Sequence, residues 1–226
     1  MSELYIMIRP ATLRFLENIA LNNNREWFQA HRAEHDAARQ DVLAFTAGIL
    51  QGLAGIDALI SADLDPAQCV LRIYRDIRFS KDKTPYKTHF GIGISPTAKN
   101  FRGPGYYIHI EPGKSFVTAG SWMPEREALH AVRQEIDYDA SGFRGVLEDP
   151  AFTEFFGGLD QEHRLKTAPQ GYPSDHPEIE FLRLKSFTAS APVSDALLLS
   201  DQAVPQVLRR LKALGPFMDF LRNALA

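Results

Sequence analysis

The chain has 226 residues and a single cysteine, Cys69. One thiol cannot close an internal disulfide, so disulfide-stapled secreted scaffolds are excluded and a reducing cytoplasm is the expected location. Cys69 sits in an apolar run and reads as a small buried hydrophobe. Long hydrophobic runs are lacking as well. The stretch Leu4 to Ile8 is too short for a signal peptide and is closed by Arg9-Pro10. Nothing approaches the roughly 18 to 20 apolar residues that a membrane helix needs, so no membrane partner is expected. No Pro/Ser/Gly-rich linker, like-charge block or internal repeat divides the sequence. With 45% hydrophobic and 23% charged residues it reads as one globular domain over residues 1–226.

Net charge is small, at −3, but it is unevenly spread. The stretch from Arg72 to His89, RIYRDIRFSKDKTPYKTH, sets six Arg or Lys against two Asp, a local balance of +4 that leaves −7 for the rest. Tyr74, Phe79 and Tyr86 are interleaved with these cations. An acidic protein that gathers its positive charge beside aromatic rings is expected to hold an anion there.

Hydrophobic periodicity organises the remainder. Thr12 is a candidate cap for a helix carrying Leu13, Leu16 and Ile19, and Asn24 caps a second, long helix whose stripe runs Trp27, His31, Glu34, Ala38, Val42, Phe45, Ile49 and Leu53. After Asp65-Pro66 the period becomes two, which predicts strands at 69–79, 88–95, 106–111 and 115–122, with a hairpin turn at Pro112-Gly113. Arg75 breaks the alternation of the first. Pro124 opens a helix on Leu129, Val132 and Ile136; shorter helical pieces follow near 143–157 and 177–184, and a strand near 185–191. The end of the chain, 204–225, is helical with a break at Gly215-Pro216. Helices at both ends around sequential strands predict an α+β fold, with a mainly antiparallel sheet of four to five strands and both terminal helical regions packed on it.

The segment 76–89 leaves one strand and enters the next through Ser80-Lys81-Asp82-Lys83-Thr84, with Pro85 holding Thr84 extended. Such a loop aims side chains and N–H groups at one anion, arginine as a fork and lysine as a point charge. The candidate ligand-binding residues are Arg75, Arg78, Lys81, Lys83, Tyr86, Lys87 and Tyr107, joined by Lys166, Tyr172 and Lys185 if folding brings the late segment alongside. The opposing reading is an internal ion-pair network of Arg75, Asp76 and Arg78 beside a solvated lysine turn. If there is catalysis, His89 or His109 is the acid or base and Asp76 orients it. Gly91 and Gly93, on the face of His89, leave room for a ligand or for close backbone contact.

Other patterns fail. Pro112-Gly113-Lys114-Ser115 lacks the earlier glycine of a phosphate loop, since Ile108 stands there, and Gly91-Ile92-Gly93 lacks the third glycine of a dinucleotide fingerprint. His31-x-x-Glu34-His35 fits a zinc-peptidase pattern without a third ligand. His89 and His109 with Asp76 and Glu111 have ligand chemistry for a divalent ion, but no spacing motif supports it; no metal and no cofactor are expected.

Several words together resemble the family of domain of unknown function 2461: Asn22-Asn23-Asn24-Arg25-Glu26-Trp27-Phe28, the run RDIRFSKDKTPYKTHFG from Arg75 to Gly91, Gly105-Tyr106-Tyr107, Gly120-Ser121-Trp122-Met123-Pro124, Leu165-Lys166 with Pro169 and Gly171-Tyr172, and Arg183-Leu184-Lys185-Ser186. The resemblance spans nearly the whole chain and implies an intracellular domain with no mechanism attached. Three functions therefore stand: a binder of a small phosphate- or carboxylate-bearing ligand, which leads; a nucleic-acid-binding protein, which the acidic remainder disfavours; and a non-enzymatic scaffold. Whether it is an enzyme, and its oligomeric state, are not written in the sequence.

Overall fold

The computed structural model describes residues 6–96 and 103–226; Leu4 and Tyr5 of the first apolar run lie outside them. The first helix, α1 (Pro10–Leu21), starts two residues before the expected cap. Pro10 takes the first helical position, and Thr12 is instead buried with its hydroxyl donating to Asp41 Oδ2 at 2.6 Å. Asn24 does cap α2 (Arg25–Ala30), accepting from Trp27 N–H at 2.9 Å. The expected single long helix is interrupted at His31, whose N–H and ring Nδ1 both take the Trp27 carbonyl while its ring stacks on Trp27 at 4.1 Å. Helix α3 (Arg32–Ala54) begins beyond that break, so the His31 and His35 of the zinc-like pattern do not share one helix. His35 packs among Phe15, Phe28 and Phe90, and burial lowers its pKa.

Residues 69–79 are not a strand, contrary to expectation. Asp65 caps a short helix, α4 (Pro66–Cys69), by accepting from Ala67 N–H, and Pro66 fits its first position. Beyond it the chain is extended but only bridged, at Val70↔Ile92 and Tyr74↔Tyr86. Those bridges enclose four steps on one side and six on the other, so the partner bulges and a regular ladder cannot form.

The sheet holds β1 (Phe90–Ile94), β2 (Gly105–Ile110), β3 (Phe116–Ser121) and β4 (Phe187–Pro192), all antiparallel in the order β1-β2-β3-β4. Between β3 and β4 lie α5 (Arg126–Tyr138), α6 (Ala140–Leu147), α7 (Pro150–Phe155) and α8 (Ile179–Leu182); α9 (Asp195–Leu198), α10 (Ala203–Ala213) and α11 (Gly215–Asn223) end the chain. This is the expected α+β arrangement. Helices α10 and α11 lie on β3, and α3 packs between α1 and α10.

Alternation gives the sheet two different faces. Phe90, Ile92, Ile94, Tyr106, Ile108, Ile110, Val117, Ala119, Phe187 and Ala189 are buried in the core with the helices. The other face carries His89, Gly91, Gly93, Tyr107, His109, Glu111, Phe116 and Thr118. Both outer edges are occupied: Leu71 N–H donates to Gly91 O at β1, and Asp160 N–H donates to Thr188 O at β4, both at 2.8 Å.

Candidate functional site

The hairpin β2–β3 and its neighbour β1 place three polar side chains in one row. The register Phe90↔Ile110 and Gly91↔His109 brings His89, one step beyond, opposite Glu111. The His89 and His109 rings lie 4.1 Å apart. His109 Nε2 is 3.0 Å from Glu111 Oε2, and its Nδ1 is 3.2 Å from the Tyr107 hydroxyl. Thr88 Oγ1 donates to the other carboxylate oxygen of Glu111 at 2.9 Å. Ser115 fixes the strand end, accepting from Glu111 N–H and donating to Glu111 O. Phe116 stacks on His109 at 4.7 Å.

Charge states follow from this enclosure. Burial, helped by His109 and the Lys87 ammonium, pushes His89 down to about 4, so it is neutral near pH 7. Burial and then Glu111 push the Tyr107 phenol up to about 12, which keeps its proton. Burial alone would raise Glu111, but its bonds from His109 and Thr88 outweigh that and lower it. Lys87 is lowered by burial and by Arg72, and among the described residues no carboxylate pairs with it.

Tyr107 and Phe116, which both contact His109, also wall a partly open cavity of about 800 Å³ lined further by Leu71, Gly93, Gly103, Ser121, Trp122, Met123, Pro124, Glu125, Ala128 and Leu225. Backbone geometry shapes the chain at the end of β3 beside it. Gly120 has φ +131, and a Cβ there would lie 2.0 Å from Phe187 O, so only glycine lets β3 approach β4 at this point. Met123 follows with φ 42, a left-handed conformation held by its N–H bond to Ser186 Oγ at 2.9 Å. That turn leaves Trp122 62% exposed over the cavity. Ser121 Oγ is buried and has no partner among the described residues. At Gly91 a Cβ would meet the Tyr107 hydroxyl at 2.7 Å; the glycine is what lets Tyr107 lie across β1 and reach His109.

The sequence-derived residues divide between three places. Lys87, His89, Tyr107 and His109 come together here. The loop preceding them is tied to itself: Arg75 Nη1 donates to Asp82 Oδ2 at 2.5 Å and to the Thr84 hydroxyl, Arg78 Nη2 donates to Asp76 Oδ2 at 2.6 Å, and Lys83 Nζ donates to Ile77 O at 2.9 Å. Asp76 thus serves Arg78, and the carboxylate on His109 is Glu111. Lys81 is exposed, and Tyr86 is core, stacked on Phe28 at 4.1 Å. Late in the chain, Lys166 and Lys185 flank the bridge Arg164↔Leu184, and Tyr172 sits near Arg133 and Asp137 of α5 and edge-on to His176. No hydrogen bond or ion pair among the described residues links those three to residues 75–89.

Sequence reasoning missed Leu71, Thr88, Phe116, Ser121, Trp122 and Met123, and weighed Glu111 only as a metal-ligand option. Tyr107 and His109 on β2 and Glu111 just past its end continue one alternation, so their common face was readable once the β1–β2 pairing was assumed. The left-handed turn at Met123 carried no such signal.

The chain matches the family model described as "Conserved hypothetical protein (DUF2461)" over residues 11–220, and it belongs to that family. No curated protein and no solved structure matches it.

Proposed function

We propose that this DUF2461 protein binds a small ligand that carries a phosphate or carboxylate, with its apolar body in the sheet-face cavity and its anion at Lys87 beside the histidine row. The carrying observation is a shared wall: Tyr107 and Phe116 line the apolar cavity and both touch His109. A concave apolar space with a few convergent polar groups is the usual form of a small-molecule site. Buried Ser121, without a partner among the described residues, adds a hydroxyl to the wall. Lys87 supplies the cation, since Arg75 and Arg78 are committed to Asp82 and Asp76. This moves the anion from the loop tip to its return end, where the loop enters β1. A reducing cytoplasm fits the lone unpaired thiol, and no helix among the described residues is long and apolar enough to cross a membrane.

The test is a thermal-shift screen of phosphorylated and carboxylated compounds with apolar bodies, run in chelator, because a ligand that binds only the folded state raises its melting temperature. A true ligand should bind Lys87→Ala more weakly by about 1.5 to 3 kcal/mol, the range for hydrogen bonds to charged groups. Trp122→Ala should weaken it too, and Arg78→Ala should not. No stabilising compound, or hits indifferent to Lys87 and Trp122, would remove this reading.

A further inference from the structure

We infer that His89, His109 and Glu111 form a binding site for one divalent transition-metal ion of the zinc or iron(II) class. This stands independently of the organic ligand proposed for the cavity. It also departs from the sequence reading, in which no local spacing motif argued for a metal; His109 lies on β2 while His89 and Glu111 stand one residue beyond the paired ends of β1 and β2, and only the sheet register unites them.

Three ligand atoms, one from each residue, all lie within 4.8 Å of one another. Two imidazoles with one carboxylate is a donor set for zinc or iron(II). Magnesium and calcium, which take oxygen ligands, do not suit it.

The surroundings supply the second argument. Metal-bound histidines and carboxylates are generally held by outer hydrogen bonds that aim them. Here Glu111 and His109 each have one atom held from outside and one turned inward. Glu111 uses one oxygen to accept from Thr88 Oγ1 at 2.9 Å and turns Oε2 toward His109. His109 meets the Tyr107 hydroxyl through Nδ1 and turns Nε2 toward Glu111, at 3.0 Å. An ion bound between Nε2 and Oε2 takes the place of the proton they otherwise share. Nδ1 then carries the ring proton and donates to the Tyr107 oxygen, so each outer bond survives with a defined direction. His89 completes the set from the neighbouring strand, its ring 4.1 Å from that of His109. His109 on β2, with His89 and Glu111 one residue beyond the paired ends of β1 and β2 and all three side chains largely shielded, gives a site with little to reorganise. The contrasting case is the His31/His35 pair, where His31 Nδ1 is spent on Trp27 O and His35 Nδ1 on Asp36.

The experiment is titration of untagged, chelator-stripped full-length protein with zinc and, separately, with cobalt(II) as a visible-absorption probe. The expected result is one ion per chain. Glu111→Gln, which keeps the shape of the side chain, and His89→Ala should each weaken binding by about 100-fold, and Tyr107→Phe or Thr88→Val by about 10-fold, the scale on which outer partners act. His31→Ala should leave it unchanged. Circular dichroism on each variant separates lost binding from lost fold, and Tyr107→Phe keeps the test alive should the ligand variants unfold. Zinc bound as tightly by Glu111→Gln and Tyr107→Phe as by the parent, or no stoichiometric binding by the parent, would overturn the inference. The chelated ligand screen reports on the cavity alone, so either reading can fail without the other.

Discussion

Arg222 and Asp57, 165 residues apart in the chain, meet at 2.5 Å, and Tyr106 donates to the same carboxylate oxygen at 2.8 Å. The pair ties the last helix to the turn after α3 and to β2. Asp57 is buried, and burial alone would raise its pKa, but the bonds from Arg222, Leu59 N–H and Tyr106 outweigh it and lower the value. A carboxylate with a depressed folded-state pKa contributes stability that is present above the unfolded value, near 3.9, and lost as pH falls through the folded one. Asp57→Asn should therefore cost about 3 kcal/mol at pH 7, at the low end for breaking a buried pair because Arg222 keeps some water contact. The difference from the parent should shrink below pH 4; urea titrations across pH 3 to 7 measure it.

Asp82 offers a second titration. The Thr84 N–H, then Arg75 and the Thr84 hydroxyl, bring its carboxyl down to about 2. Arg75→Gln should raise that value only part of the way to an ordinary aspartate, because the backbone bond is the largest cause and remains. Carboxyl NMR on the two proteins reads this directly, and a full return to the ordinary value would mean that Arg75 alone sets it.

Burial, with a smaller push from Asp65, raises the Cys69 thiol to about 11. The thiolate is the reactive form, so the folded protein should resist alkylation at pH 8 and take up one equivalent only in denaturant. Mass spectrometry after iodoacetamide treatment decides it.

Two glycines should behave differently. Gly120→Ala drives a methyl into the Phe187 carbonyl at a left-handed φ, and should cost about 3 kcal/mol or prevent folding. Gly91→Ala meets mainly the far end of the Tyr107 side chain, which can swing. Its stability loss should stay near 1 kcal/mol, the scale of a mild overpacking, while the displaced tyrosine releases His109. Thermal melts, with zinc titration of the second variant, distinguish them.

Much of the fold is legible in the sequence because its strands obey one rule. Phe90, Ile92 and Ile94, and Tyr106, Ile108 and Ile110, alternate cleanly, and each lies in the core. Residues 69–79 alternate as well, yet the pattern there misleads. Asp65-Pro66 starts a short helix, Pro66–Cys69, that runs into the expected strand, and Leu71 is 39% exposed at the cavity whereas Val70 is buried. Periodicity reports which side chains share a face and is silent on whether a partner strand keeps step. The site divides the same way. Charge density marks residues 72–89, but it does not reveal that Arg75 and Arg78 find carboxylates within their own loop while Lys87 does not. That depends on distances between side chains that share no period.

The strips of irregular chain along β1 and β4 bear on behaviour at high concentration. An open strand edge is a template for another molecule's strand, and polymerisation through it needs free N–H and C=O groups in a row. Here the bridge Val70↔Ile92 and the Leu71 N–H bond occupy part of one border. Asp160 occupies part of the other, its N–H on Thr188 O and its carboxylate on the hydroxyls of Thr188 and Ser190. These strips are too uneven to extend the ladder outward, so they act as selvedges that stop the sheet from growing into a fibre. Loosening Asp160 should expose that liability well before the core itself gives way.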